Sequence, residues 1–145
     1  MKKTLEENPA ISRSALWARK NKEKVAEKSK IAKATFDGKT INLLAQSRYR
    51  AKKNGLDHNI DLEYVRGLYN GQEGMCNLSG IRMTIIGERG SEDYWKSISL
   101  DRIDSSKGYV EGNVQLVCTG VNYMKKDMSD EMFISFCKKV SERFK

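Results

Sequence analysis

The chain has 145 residues, enough for one domain with a modest core. Hydrophobic residues make up 39% and charged residues 32%, and no apolar run approaches the length that spans a bilayer, so a membrane-spanning chain is excluded. The formal net charge of +8 favours a polyanionic partner.

That charge is uneven. The first 54 residues carry 15 Lys+Arg against 5 Asp+Glu, and the remainder carry 12 against 14. A near-neutral domain with a basic arm follows, the arm expected over residues 1–39 and the domain over residues 40–145. The cysteines, Cys76, Cys118 and Cys137, are scattered and form no C-x-x-C pair. They are expected to be buried hydrophobes in a reducing, cytoplasmic setting. No signal-peptide pattern opens the sequence.

In chain order, Met1–Pro9 is expected to be a disordered lead-in. "SRSALWARKNKEKVAEKSKIAKA" follows, rich in Ala, Lys and Glu, and predicts a helix too poor in apolar residues to hold itself down by burial. "FDGK" predicts a turn and the domain boundary. A helix is expected over "TINLLAQSRYRAKKNG", capped by Thr40 and closed by Gly55. Asp61 should cap a short helix with Leu62, Val65 and Leu68 inward. "CNLSGIRMTII" reads as a short hairpin turning at Ser79-Gly80, and "GERGSEDYWKS" as a polar loop.

"ISLDRID" and "NVQLVC" alternate as strands, joined by the turn-rich "SSKGYVEG". "TGVNYMKKD" starts a helix. The last helix, "MSDEMFISFCKKVSERFK", should be capped by Ser129, with Met132, Phe133, Phe136, Cys137, Val140 and Phe144 as a core-facing stripe. The fold class expected is α+β.

Residues 97–127 thus run strand, loop, strand, helix, with Asp101, Arg102, Asn113 and Asn122 as their polar set. This resembles the HNH (ββα-metal, His-Me finger) endonucleases, in the phage-type variant whose last histidine is replaced by asparagine. The upstream "RAKKNGLDHNIDLEYVRGLYNGQEGMCNLSGIRMT" is similar to the lead-in of such proteins, so the resemblance spans roughly residues 40–140. It implies a ββα-metal core with flanking helices and a small hairpin. Asp101 and Asn122 would be ligands of Mg²⁺ or Mn²⁺, and Asn113 a structural residue that orients the catalytic group or pins the loop. Double-stranded DNA would be the substrate.

The chemistry is coherent, because phosphodiester hydrolysis uses a metal to neutralise charge at the scissile phosphate, and carboxylate and amide oxygens are hard ligands. Arg102 departs from the pattern. It stands where the family has a general-base histidine, and a guanidinium cannot take a proton from water. It can clamp a phosphate and stabilise developing charge. His58, the only histidine, is expected to be a surface residue, and Asp104 to pair with Arg102. Arg48, Arg50, Lys52, Lys53, Lys107, Lys125 and Lys126 are the expected phosphate contacts. Two functions stand: a metal-dependent DNA endonuclease that nicks one strand, or a catalytically silent HNH-fold protein that binds DNA or regulates.

Overall fold

The structure, a computed structural model, describes residues 12–145, with Ala18 by its backbone alone. The expected lead-in Met1–Pro9 lies outside the described residues. The chain is α+β: seven helices and one antiparallel two-stranded sheet are described.

The basic N-terminal stretch forms α1 (Arg13–Lys20) and α2 (Lys22–Lys33) rather than one helix. The break falls at Asn21, whose backbone N–H and side-chain Nδ2 both donate to the Trp17 carbonyl, at 2.9 and 2.8 Å. No residue of α2 is buried.

α3 (Phe36–Asn54) starts four residues before the expected position, so "FDGK" is its first turn and not a linker. Thr35 caps it, accepting from Gly38 N at 3.1 Å. Thr40, expected as the cap, is instead fully buried inside the helix. Gly38 is required by the α2–α3 corner, since a Cβ there would lie 2.0 Å from the Ala32 carbonyl oxygen. Phe36 packs on Tyr69 of α4 (Leu62–Gly71), with ring centroids 4.7 Å apart, and Asp37 pairs with Arg66 at 2.7 Å. The first turn of α3 is therefore part of the domain.

Asp61 caps α4 as expected, accepting from Tyr64 N at 2.8 Å, and Val65 is its fully buried residue. The expected hairpin turns at Ser79-Gly80 but holds one antiparallel bridge, Met75 to Arg82, flanked by Cys76 N to Ile81 O at 2.8 Å and Met83 N to Gly74 O at 2.9 Å. Asn77 N donates to Leu116 O at 3.0 Å, docking the turn against the sheet. The expected polar loop contains a short helix, α5 (Glu92–Lys96), capped by Ser91.

β1 (Ile98–Arg102) and β2 (Val114–Cys118) pair antiparallel, with Asp101 opposite Gln115. α6 (Thr119–Lys125) follows β2 directly. A side-chain latch holds its start to β1: Thr119 Oγ1 donates to Ser97 O at 2.9 Å. The core sits between the sheet and α3, α4 and α6, with Leu44, Ile60, Val65, Ile98, Leu116 and Val117 at its centre.

α7 (Asp130–Arg143) is capped by Ser129, yet the expected core stripe is not core. Only Phe133 is buried. Met132, Phe136, Cys137, Val140 and Phe144 are exposed, because every residue from Ile134 onward lies clear of the domain. Cys76 and Cys118 are buried as expected and Cys137 is not. Burial, together with the neighbouring Cys76, pushes the Cys118 thiol up to about 12.

Candidate functional site

Asp101 lies near the end of β1, 3% exposed, and the strand register turns its carboxylate toward Gln115. Gln115 Nε2 donates to Asp101 Oδ2 at 2.9 Å. Lys125, in the last turn of α6, is 0% exposed and reaches the same carboxylate: its Nζ stands 3.2 Å from Oδ1 and 3.0 Å from Oδ2. The ammonium also donates to Arg102 O at 3.0 Å and pairs with Asp130 Oδ1 at 3.3 Å. Gln115 Nε2 bridges to Asp130 as well, and its Oε1 accepts from Asn77 Nδ2 at 2.5 Å. Burial pushes the Asp101 carboxyl up, while Gln115 and Lys125 pull it down. The expectation that Lys125 contacts phosphate is corrected. It is an interior cation, surrounded by oxygens, that ties β1, α6 and the first turn of α7 together.

Asn122 sits one turn before Lys125. Its Nδ2 donates to Ser99 Oγ at 2.7 Å and Leu100 O at 3.0 Å, which fixes the amide, and among the described residues none donates to its Oδ1. Asn113 pins the loop between the strands. Its Oδ1 accepts from Asp104 N at 3.0 Å, and its Nδ2 donates to Asp104 O at 3.0 Å and Gly108 O at 2.9 Å. These bonds hold the loop and reach neither Asp101 nor Arg102. Gly108 allows the same loop to dock: a Cβ there would lie 2.0 Å from Asp57 O.

Arg102 lies over the Tyr109 ring, 5.2 Å from its centroid, and donates to Lys107 O at 3.1 Å. The expected Arg102–Asp104 pair is not formed. Asp104 is taken by Ser106 and by Lys107, 3.3 Å away, three residues on. His58 is held by Ser47 Oγ at 2.8 Å and tilts against Tyr109. Burial and the nearby Arg48 lower its pKa. It belongs to the packing of α3 and not to the site.

A cleft of about 570 Å³ opens over this unit, between α3, β1 and α6. Asp101, Arg102 and Asn122 line it together, and Lys39, Arg50 and Lys126 add positive charge. Tyr94, Tyr109 and Tyr123 give it aromatic walls. Arg48, Lys52 and Lys53 are exposed on the same helix as Arg50. Sequence reasoning missed Gln115 and gave Lys125 the wrong role. Gln115 was readable as the residue opposite Asp101 in the hairpin. Lys125 was readable as the residue one helical turn after Asn122.

The donors present do not fit a divalent ion on Asp101. Both carboxylate oxygens face the Lys125 ammonium within 3.2 Å. An Mg²⁺ bound to either, at its usual distance of about 2 Å, would stand next to a buried positive charge. Asn122 offers one oxygen, and among the described residues no cluster of three or more His, Cys, Asp or Glu side chains could hold a metal. Compared with protein-family models, with curated proteins and with solved structures, the chain shows no match.

Proposed function

We propose that this chain binds double-stranded DNA along the cationic cleft, as an HNH-like protein that does not cut. The observation that carries this reading is Lys125. A fully buried ammonium holds the carboxylate that an HNH nuclease would give to its metal, and the resemblance would put Arg102 where such a nuclease has its general base. Both changes remove chemistry while leaving positive charge. The cleft keeps Lys39, Arg50 and Lys126 for the phosphate backbone, and the basic arm adds sequence-independent attraction that weakens with salt.

A second reading is the metal-dependent endonuclease, with Mg²⁺ or Mn²⁺ and a single nick per site. It is favoured by the placing of Asp101 and Asn122 in one cleft, where among the described residues no donor reaches the Asn122 amide oxygen. Here this chain's residues would act without a histidine, Arg102 stabilising charge on the phosphate. Loss of a general base costs roughly 10²–10⁴-fold, which slows such chemistry without ending it.

The test uses labelled duplex and supercoiled plasmid side by side. The first reading expects duplex binding that weakens steeply with salt, is reduced by Arg50→Ala and by Lys126→Ala, and is unchanged by EDTA, with no nicked circles in Mg²⁺ or Mn²⁺. Nicking that requires the metal and disappears in Asn122→Ala would establish the second reading. Failure to bind duplex at low salt would remove both.

A further inference from the structure

We infer that α7 is the contact helix of a symmetric dimer, and that its partner is a second copy of this chain. The inference rests on no reading of the cleft. Met132, Phe136 and Val140 recur at every fourth position of α7, which places them on one stripe that Phe144, the C-cap, continues. Their exposures lie between 53% and 85%. Scattered apolar residues on a surface need no explanation, but a contiguous stripe of this kind marks a contact. The one buried side chain of α7, Phe133, anchors its beginning to the domain, and from Ile134 onward every residue of the helix is exposed.

The charges beside the stripe select the occupant. Glu131 is exposed in the first turn, whereas the second half carries the exposed bases Lys138, Lys139, Arg143 and Lys145 against one acid, Glu142. Asp130 is not available at this surface, since it is turned inward onto Gln115 and Lys125. Lay the stripe antiparallel on its own copy, and Met132 meets Phe144 of the other copy while Phe136 meets Val140. The operation is a two-fold rotation, so each contact is made twice. It also brings Glu131 of each copy beside Arg143 and Lys145 of the other. A parallel arrangement would set Glu131 on Glu131 and base on base. A nucleic acid would find no use for four apolar side chains in a row. The helix is 14 residues long, about 21 Å at 1.5 Å per residue. One such stripe is small for a permanent interface, so the dimer is reversible.

Sedimentation velocity on the full chain, over a concentration series from low micromolar to submillimolar, tests this. The parent should pass from monomer to dimer. The double variant Phe136→Glu, Val140→Glu should stay monomeric with an unchanged far-ultraviolet circular dichroism spectrum, because both side chains are exposed. Glu131→Lys should weaken the dimer several-fold, as should Arg143→Glu with Lys145→Glu. Combining all three charge reversals should recover it, since a general loss of structure would not be repaired by more substitutions. A parent that is monomeric throughout overturns the inference. So does a dimer that survives Phe136→Glu, Val140→Glu, or a triple charge reversal no better than its parts.

Discussion

Consecutive helices in this chain treat their side chains in opposite ways. α6 buries a lysine completely, and α7 with its C-cap leaves all four large apolar residues of the stripe more than half exposed. Hydropathy alone would have assigned them the other way round. Burial here follows position. Lys125 lies where β1, α6 and the start of α7 converge, and four oxygen contacts compensate its ammonium. The α7 stripe lies on a helix that has already left the domain. A charge can be interior when its partners are built around it, and a phenylalanine can be outside when no surface of the same chain reaches it.

The comparison breaks most visibly at Lys125. Removing one partner of a buried ion pair leaves the other charge uncompensated, at a cost of about 3–5 kcal/mol. Lys125→Met is expected to lower stability by that order in urea unfolding. A loss under 1 kcal/mol would mean that the ammonium is not the joint described here. The two phenylalanines sharpen the contrast within one helix. Phe133→Ala should cost about 3–5 kcal/mol, as a buried aromatic does. Phe136→Ala should stay within about 0.5 kcal/mol at a dilution where the chain is monomeric. Equal effects would erase the difference between the docked start of α7 and the part that runs clear of the domain.

The smallest effect concerns His58. Its pKa is lowered in the folded chain by burial and by Arg48. As pH falls, the unfolded chain therefore takes up the proton first. The stability tied to the neutral ring is complete above its ordinary value of about 6.5 and is lost as pH falls below it, toward the lower folded value. Melting temperature should decline modestly from about pH 7.5 to 5.5, and His58→Gln should flatten that decline. An unchanged slope in the variant would remove His58 as its source.

Much of the scaffold was legible because local signals agreed. Ser129 and Asp61 sit at helix starts with acids in the first turn, and the alternation around Leu100 and Leu116 placed both strands. The loop-pinning part of Asn113 was also legible. What was not legible depended on contacts distant in sequence. "FDGK" has turn composition, yet Thr35 caps it and α4 covers it through Phe36 and Asp37. The α7 stripe has the period of a core helix, and periodicity says only that a face is apolar, not what covers it. Asp101, Arg102 and Asn122, which line the cleft together, were named from the sequence. That Asp101 was spoken for was not, because Lys125 reads as one more basic residue in "YMKKD" until α6 folds onto β1.

The central claim is that Lys125, and not a metal ion, holds Asp101. Paramagnetic broadening tests it most directly: Mn²⁺ is titrated into isotope-labelled parent chain and into Lys125→Met, and the backbone resonances around Asp101 and Asn122 are followed. The account predicts no localised broadening there in the parent at Mn²⁺ concentrations that populate ordinary carboxylate sites. Broadening in the parent centred on Asp101 and Asn122, with Lys125 present, would contradict it.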